Sequence, residues 1–512
     1  MLRISWFKFV LLNTIIIVLI NFNAFVFIYK NLSQNPFWLT LAFILAYACL
    51  VHIILSLVFV RFLSRFLSML FIIVAMMSAY FMQTYGILID SDMIHNVFNT
   101  DTKEAFDLIN LRLMFVVLIV LVAVFFIFKI QIVYPPFKKQ LGIKLLNIFV
   151  ASGIFCITFL PFTKTFVPFF REHNELRMHN TPFYQFYALW RYYKIYLASK
   201  PALKILSEGA YRENNATKRN LVLIVGETAR AKNYSLGGYS VNQTNPASPH
   251  EGVIYFSQIA SCGTSTAVSL PCMFSASNRQ NFSNQIYEEN LLDFLVKTGV
   301  KVSWLDNNSG GCQGVCQRLE NAKIFNEEYD GFLIEEFKKS LAGLDTANLI
   351  VVHLQGSHGP AYYKRYPKEF EKFTPTCDTN ELSKCTFEQI ANTYDNSILY
   401  TDYIVEEIID ELKKMQGYQN TLIYLSDHGE SLGENGIYLH SMPYAIAPKT
   451  QTHIPLIVWS DDENLKKIAI RYKDIKLSQD NIFSTILGYF EIKTPFYKEE
   501  FDFLNPKLKA GN

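Results

Sequence analysis

Charge is scarce in this sequence, and neither sign dominates. Charged residues make up 18% of the chain against 50% hydrophobic, and 47 basic residues face 45 acidic ones, a net charge of +2. So small an excess gives no electrostatic footprint for nucleic acid or for an acidic partner. Internal repeats and low-complexity tracts are also missing. No small-residue cleavage site follows the first apolar run, so that run reads as a retained span and not as a removable leader.

The apolar residues are concentrated before residue 162. Five segments there are long enough to cross a bilayer: Phe9 to Tyr29, Phe37 to Val60, Leu67 to Tyr85, Leu113 to Phe128 and Ile143 to Leu160. Arg3 and Lys8 precede the first, Arg61 and Arg65 follow the second, and Lys129, Lys138, Lys139 and Lys144 lie between the fourth and fifth. These segments alternate on one side, which the positive-inside rule makes cytoplasmic. An odd number of spans then places everything after Leu160 outside the cytoplasm. The expected organisation is a transmembrane domain over 1–161 with an outer loop at 87–111, an aromatic juxtamembrane helix and linker over 162–218, and a soluble domain over 219–512.

Within the outer loop, Asn96, Thr100 and Glu104 recur at i, i+4 and i+8. A continuous helix would put them on one face, which by spacing alone reads as a solvated face. After the fifth span, Phe183, Tyr184, Phe186, Tyr187, Trp190, Tyr192, Tyr193 and Tyr196 crowd a short stretch. Rings with polar tips favour the headgroup region, so a helix lying on the bilayer surface is expected. The polar stretch from Ser207 to Lys218 reads as a linker.

Cysteine usage tests the topology independently. Cys49 and Cys156 lie inside predicted spans. Cys262, Cys272, Cys312, Cys316, Cys377 and Cys385 form three neighbouring pairs in the soluble part. Six cysteines allow about 15 connectivities, of which proximity favours 262–272, 312–316 and 377–385. Disulfides persist in a periplasm or outside a cell, in agreement with the charge pattern. Cys312 and Cys316 have no second close pair with zinc-ribbon spacing.

From Arg219 onward, short β-branched runs alternate with helical patterns. LVLIV, VKVSWL, NLIVVHL, TLIYL and IPLIVW are continuous apolar strands, as expected for a mostly parallel α/β sheet covered by helices on both faces. Ligands bind beyond the carboxyl ends of such strands. Those ends run into Gly226-Glu227-Thr228, Asp306-Asn307-Asn308-Ser309, Gln355-Gly356-Ser357-His358 and Ser426-Asp427-His428-Gly429-Glu430. Mixed carboxylate and imidazole donors suit zinc or manganese better than magnesium or calcium. Asp427 and His428 can share one ion only after leaving the strand, a turn that Gly429 permits. The loop SCGTSTAVSLPC adds Thr264, Ser265, Thr266 and Ser269, any of which a metal would activate as a nucleophile. A helix starting in this loop would also turn backbone N–H groups toward a phosphate.

The motifs GETAR, SCGTSTAVSLPCMFS, DNNSGGCQGVC, LQGSHGPAYYKRYP, YDNSILYTDY and SDHGESLGENGIYLH, in this order, resemble the phosphoethanolamine transferases that modify lipid A. That family is zinc-dependent, belongs to the alkaline phosphatase superfamily and includes colistin-resistance enzymes. The resemblance implies five spans and a periplasmic catalytic domain in the bacterial inner membrane. It implies a phosphatidylethanolamine donor, a lipid A acceptor, polymyxin resistance, and one zinc ion with a possible second. It makes Thr266 the nucleophile and Glu227, Thr266, Asp427 and His428 the zinc ligands. His358 and His440 match positions for substrate or a second zinc; Asn96, Thr100, Glu104 and Ser309 match substrate positions. His453 lies near the site by strand position, without an assigned role. One departure stands out: family members carry a lysine before GV where this chain has an added residue and neutral Gln313.

Three rivals are distinguishable on sequence. A phosphoglycerol transferase of the same superfamily shares five spans and a threonine nucleophile, but the cysteine-flanked STA loop favours phosphoethanolamine. A sulfatase needs a C-x-P-x-R motif that neither Cys262 nor Cys272 begins. A non-catalytic receptor on the same scaffold would have lost ligands that are all present here.

Overall fold

The computed structural model describes residues 2–32, 36–100, 102–198, 202–213, 217–250, 252–284 and 286–508, without the side chains of Lys103, Glu104 and Asn174. The chain forms two compact units, residues 1–91 with 109–191 and residues 92–108 with 192–512.

In the first unit, uncharged runs of Leu, Ile, Val and Phe fold as helices, which satisfy their own backbone groups in an apolar surrounding. Among the described residues, four are long and apolar enough to cross a membrane: Pro36–Val58, Ser64–Tyr85, Leu111–Lys129 and Phe137–Glu172. The first predicted span is not one helix but two, Trp6–Ile20 and Phe22–Asn31, bent by 52°. Asn21 stands at the break. Its Nδ2 donates to the carbonyls of Ile17 and Thr181, both at 2.8 Å, and its Oδ1 accepts from the Thr181 amide at 3.0 Å. A side-chain amide thus takes over where the helical ladder is interrupted.

The aromatic stretch expected to lie on the bilayer as one helix is divided between the units. Phe183 and Phe186 pack on Phe71 within the helical unit, with ring centroids 5.9 and 5.4 Å away. Tyr192 and Tyr196 belong to the second unit, where they stack on Phe98 and His95 at 5.1 and 3.8 Å. The stretch read as a linker is tied down as well. Leu206 and Ser207 donate their amides to Glu289, and Tyr211–Arg212 pairs with Ile492–Lys493.

The second unit is built on an eight-stranded sheet. In chain order its strands are β1 (Arg219–Gly226), β2 (Ile254–Ala260), β3 (Lys301–Asp306), β4 (Ala322–Ile324), β5 (Ala347–His353), β6 (Gln419–Ser426), β7 (His453–Ser460) and β8 (Leu477–Ser478). They lie side by side as β8-β2-β7-β6-β1-β5-β3-β4. The sheet is mixed: most of its pairings are parallel, as expected, but β7, the IPLIVW strand, runs antiparallel to both β2 and β6. Burial on both faces made that strand look parallel, because a two-sided apolar run carries no mark of direction. Alternation along β1 serves two cores. Leu221, Leu223 and Val225 enter one apolar cluster, while Val222 and Ile224 enter another on the opposite face. Covering helices include Leu291–Lys297 and the 27-residue Phe387–Lys413, started by reciprocal capping pairs Asn290–Asp293 and Thr386–Gln389.

Candidate active site at the strand ends

β1 and β6 are parallel neighbours, so the residues that follow them emerge side by side. Glu227, Asp427 and His428 meet there, their ligand atoms all within 4.8 Å of one another. All three are buried. Asp427 still donates its amide to the Gly226 carbonyl at 2.9 Å, and Gly429 turns the chain away, bonding to the Gln451 carbonyl at 2.9 Å. A Cβ at Gly429 would stand 2.1 Å from the Thr450 carbonyl oxygen, so only glycine fits the turn that brings His428 round to Asp427. Thr228 is held at φ +55°, a costly conformation for a β-branched residue, on the order of 1–3 kcal/mol. Its amide donates to Asp427 Oδ1 (3.1 Å) and its carbonyl accepts from the Tyr394 hydroxyl (2.7 Å).

The hydroxyl loop reaches this cluster through one residue. Thr264 donates to the Met442 carbonyl at 2.6 Å, and Ser269 Oγ accepts from the Gly263 amide at 2.9 Å. Ser265 is the N-cap residue of the helix Thr266–Met273, which Thr266 opens. Thr266 Oγ1 donates to Glu227 Oε2 at 2.9 Å and lies 3.4 Å from His428 Nε2. Cys262 and Cys272 are disulfide-bonded across the loop, as are Cys312 with Cys316 and Cys377 with Cys385. Cys49 and Cys156 are free thiols.

The electrostatics are those of two buried carboxylates around one imidazole. Burial alone would raise the Glu227 carboxyl, but His428, with His358 and His440 behind it, outweighs burial and holds Glu227 well below the usual range. Burial and the adjoining Glu227 push Asp427 up to about 7. Burial opposes charge on His428, yet Asp427 and Glu227 raise it to about 10. His428 Nε2 lies 3.2 Å from Asp427 Oδ2 and 3.4 Å from Glu227 Oε1. Those two carboxylate oxygens are buried and, among the described residues, make no hydrogen bond. Two converging anionic oxygens and a ring nitrogen, oriented by Nδ1 against the Gly429 carbonyl (3.0 Å), fit a divalent cation in place of the Nε2 proton.

The other residues singled out by sequence divide. His440 and His358 join the cluster: the His440 ring lies 4.5 Å from that of His428 and 5.5 Å from that of His358. Burial lowers the His440 pKa, and its Nδ1 sits 3.1 Å from Glu430 Oε2. A neutral ring donating Nδ1–H to Glu430 leaves Nε2 as a proton acceptor. Ser309 follows Asn308 just beyond β3. Asn96 Nδ2 donates to Ser441 Oγ at 2.9 Å, beside His440 in the chain. The expected single helical face carrying Asn96, Thr100 and Glu104 does not form. Two helices, Ser91–Asn99 and Thr102–Asp107, are separated at Thr100, whose hydroxyl turns back to the Asn96 carbonyl at 2.8 Å. The Glu104 side chain lies outside the described residues. His453 opens β7, and its Nε2 lies 2.9 Å from the Ser257 carbonyl, a bond to the β2 backbone. Gln313 is held at φ +47°, its amide donating to the Gly310 carbonyl at 2.9 Å.

Asn308 and Glu430 were visible in the strand-end motifs but received no role from the sequence. Asn308 Nδ2 donates to Glu227 Oε2 at 2.8 Å and fixes the oxygen that also receives Thr266. Asn308→Ala is expected to weaken metal affinity about 10–100-fold, measured by competition with a chromogenic chelator. An unchanged affinity would remove Asn308 from the site.

A mixed sheet with carboxylates, an imidazole and a hydroxyl gathered at its strand ends is the architecture of a sulfatase-like domain. Residues 219–492 match the sulfatase family model. Residues 47–196 match the model of phosphoethanolamine transferase EptA/EptB. Phosphoethanolamine transferase EptA of Escherichia coli (strain K12) is 40% identical over 487 residues, covering 89% of this chain and 87% of that protein. The integral membrane lipooligosaccharide phosphoethanolamine transferase A (EptA) from Neisseria meningitidis has the same fold with a TM-score of 0.92, at 30% identity over 99% of both chains. The C-terminal periplasmic domain of phosphoethanolamine transferase EptC from Campylobacter jejuni gives a TM-score of 0.59 at 60% identity, covering 60% of this chain and 100% of that one. The chain belongs to the phosphoethanolamine transferase family.

Proposed function

We propose that the protein moves phosphoethanolamine from phosphatidylethanolamine to lipid A, with Thr266 as the nucleophile. The observation that carries this reading is the Thr266 hydroxyl seated on Glu227, inside the buried Glu227–Asp427–His428 cluster. Family membership supplies the transferred group. The chain is an inner-membrane protein with its catalytic unit in the periplasm, in keeping with its apolar helices and its likeness to an integral membrane transferase. Counting the bent pair Trp6–Asn31 as one crossing gives five spans.

Glu227, Asp427 and His428, with Thr266 Oγ1, would hold zinc. When bound, zinc lowers the pKa of the hydroxyl and offsets charge on the phosphoryl oxygens. In the first half-reaction the Thr266 oxygen bonds to phosphorus and its proton passes toward Glu227 Oε2. The bond from phosphorus to the glyceryl oxygen breaks, and diacylglycerol leaves with a proton from the protonated imidazole of His358. The product is phosphoethanolamine on Thr266. In the second half-reaction an acceptor oxygen gives its proton to that imidazole and attacks phosphorus, and Thr266 departs and regains its proton. Added ethanolamine offsets negative charge on lipid A and weakens cationic peptide binding, polymyxin included.

Mass spectrometry of lipid A from cells with and without this protein tests the reading. Lipid A from the expressing cells is expected to carry added phosphoethanolamine. Identical spectra with the protein present in the membrane would contradict a lipid A acceptor.

A further inference from the structure

A second feature of the catalytic unit lies directly beside Thr266. A cavity of about 580 Å³ starts at Ala267 and Pro271, passes the turn Gly310–Cys316 and is closed by His95, Asn99, Tyr192 and Tyr196. Its volume falls in the range of small-molecule sites, about 300–1,000 Å³. Its wall has two components. One is aromatic: the His95 and Tyr196 rings stack at 3.8 Å with 10° between their planes, and Tyr192 stands 5.5 Å from Tyr196. The other is amide, from Asn99, Asn284, Gln313 and Gln317. Among the described residues that line it there is no lysine, arginine, aspartate or glutamate.

The amide groups are set in one sense. Asn99 Nδ2 is 3.0 Å from His95 Nε2 and donates to Gln313 Oε1 at 3.3 Å; Gln313 Nε2 is used on Gly310. Asn284 Nδ2 donates to the Tyr196 hydroxyl at 3.2 Å and to the Ala267 carbonyl at 3.4 Å. The NH2 groups are therefore occupied within the wall. The side-chain oxygens of Asn99 and Asn284 accept no hydrogen bond among the described residues. Open acceptors call for a guest rich in O–H donors. Flat rings call for a guest with an apolar C–H face. The absence of cationic side chains excludes a bare phosphate, which would enter such a wall without a counter-charge. A pyranose ring has the required properties: hydroxyls on its rim, C–H groups on its face and no formal charge.

We infer that this cavity binds a neutral sugar ring of the acceptor, so that a group carried by that sugar is presented to the phosphorus on Thr266. The inference rests on the transferase reading and adds the part of the acceptor that is recognised. It also gives Gln313 a positive role: a neutral amide pinned to Gly310 completes an uncharged wall.

The test uses the full-length protein in detergent with phosphatidylethanolamine as donor and two acceptors, lipid A and a sugar-free long-chain alkyl phosphate. The readout is the ratio of kcat/KM for lipid A to that for the alkyl phosphate. Tyr196→Ala is expected to lower this ratio about tenfold, mainly through KM for lipid A, as the loss of one well-made contact implies. Asn284→Ala, which removes an amide and no packed ring, is expected to act in the same direction and serves if the tyrosine variant does not fold. An unchanged ratio in the folded variants, or an equal loss on both acceptors, would overturn the sugar assignment. Failure of the unaltered enzyme to release diacylglycerol from the donor would instead overturn the transferase reading, and the sugar site with it.

Discussion

Replacing Thr266 by alanine is expected to abolish phosphoethanolamine transfer, lowering the rate on the order of 10³-fold or more. The size of the effect follows from how the loop is wired. Thr264 is bonded to Met442 and Ser269 to Gly263, whereas Thr266 reaches Glu227 and His428. Thr264 and Ser269 are thus committed away from the cluster. An equal lipid A mass increment from Thr266→Ala and wild type would remove Thr266 as nucleophile. Thr266→Ser, which keeps an oxygen at the helix start, is expected to retain measurable transfer.

Stripping the metal is expected to produce the second large effect, on activity and stability together. Glu227 and Asp427 bring two carboxylates into a buried space with one imidazole, and among the described residues Glu227 Oε1 and Asp427 Oδ2 take no hydrogen bond there. A cation bound at about 100 times its Kd stabilises the folded chain by about 2.7 kcal/mol. For a unit of this size that amounts to roughly 4 °C of unfolding temperature. A strong chelator should therefore abolish transfer and lower the midpoint by that amount. Zinc should restore both, and magnesium should restore neither, because the nitrogen-containing donor set disfavours it. Full activity and an unmoved midpoint after verified metal removal would show that the cluster is a proton-sharing network with no cation.

Much of this was legible in the sequence, for identifiable reasons. The apolar strands stood out because β1 and its neighbours are buried on both faces, and Glu227, Asp427 and His428 were among the metal candidates because they directly follow those strands, although family resemblance singled them out as the ligand set. What stayed hidden depends on partners distant in the chain. The direction of β7 leaves no trace in a run buried on both sides. The bend at Asn21 is made with Thr181, 160 residues away. The choice of Thr266 over Thr264, Ser265 and Ser269 rested on family resemblance, because the bonds that separate them reach Met442 and Glu227. Asn96 looked like a solvated helix residue by spacing, yet its partner is Ser441, 345 positions on. Local pattern reports burial and ends of elements; it does not report which ends meet.

The central claim, a covalent phosphoethanolamine on Thr266, is open to direct measurement. The purified full-length enzyme is incubated with phosphatidylethanolamine in the absence of acceptor, quenched and digested for peptide mass spectrometry. The account predicts one phosphoethanolamine per chain on Thr266, lost when lipid A is added before the quench. Diacylglycerol released in step with transfer, with no adduct or with the adduct on another residue, would contradict it.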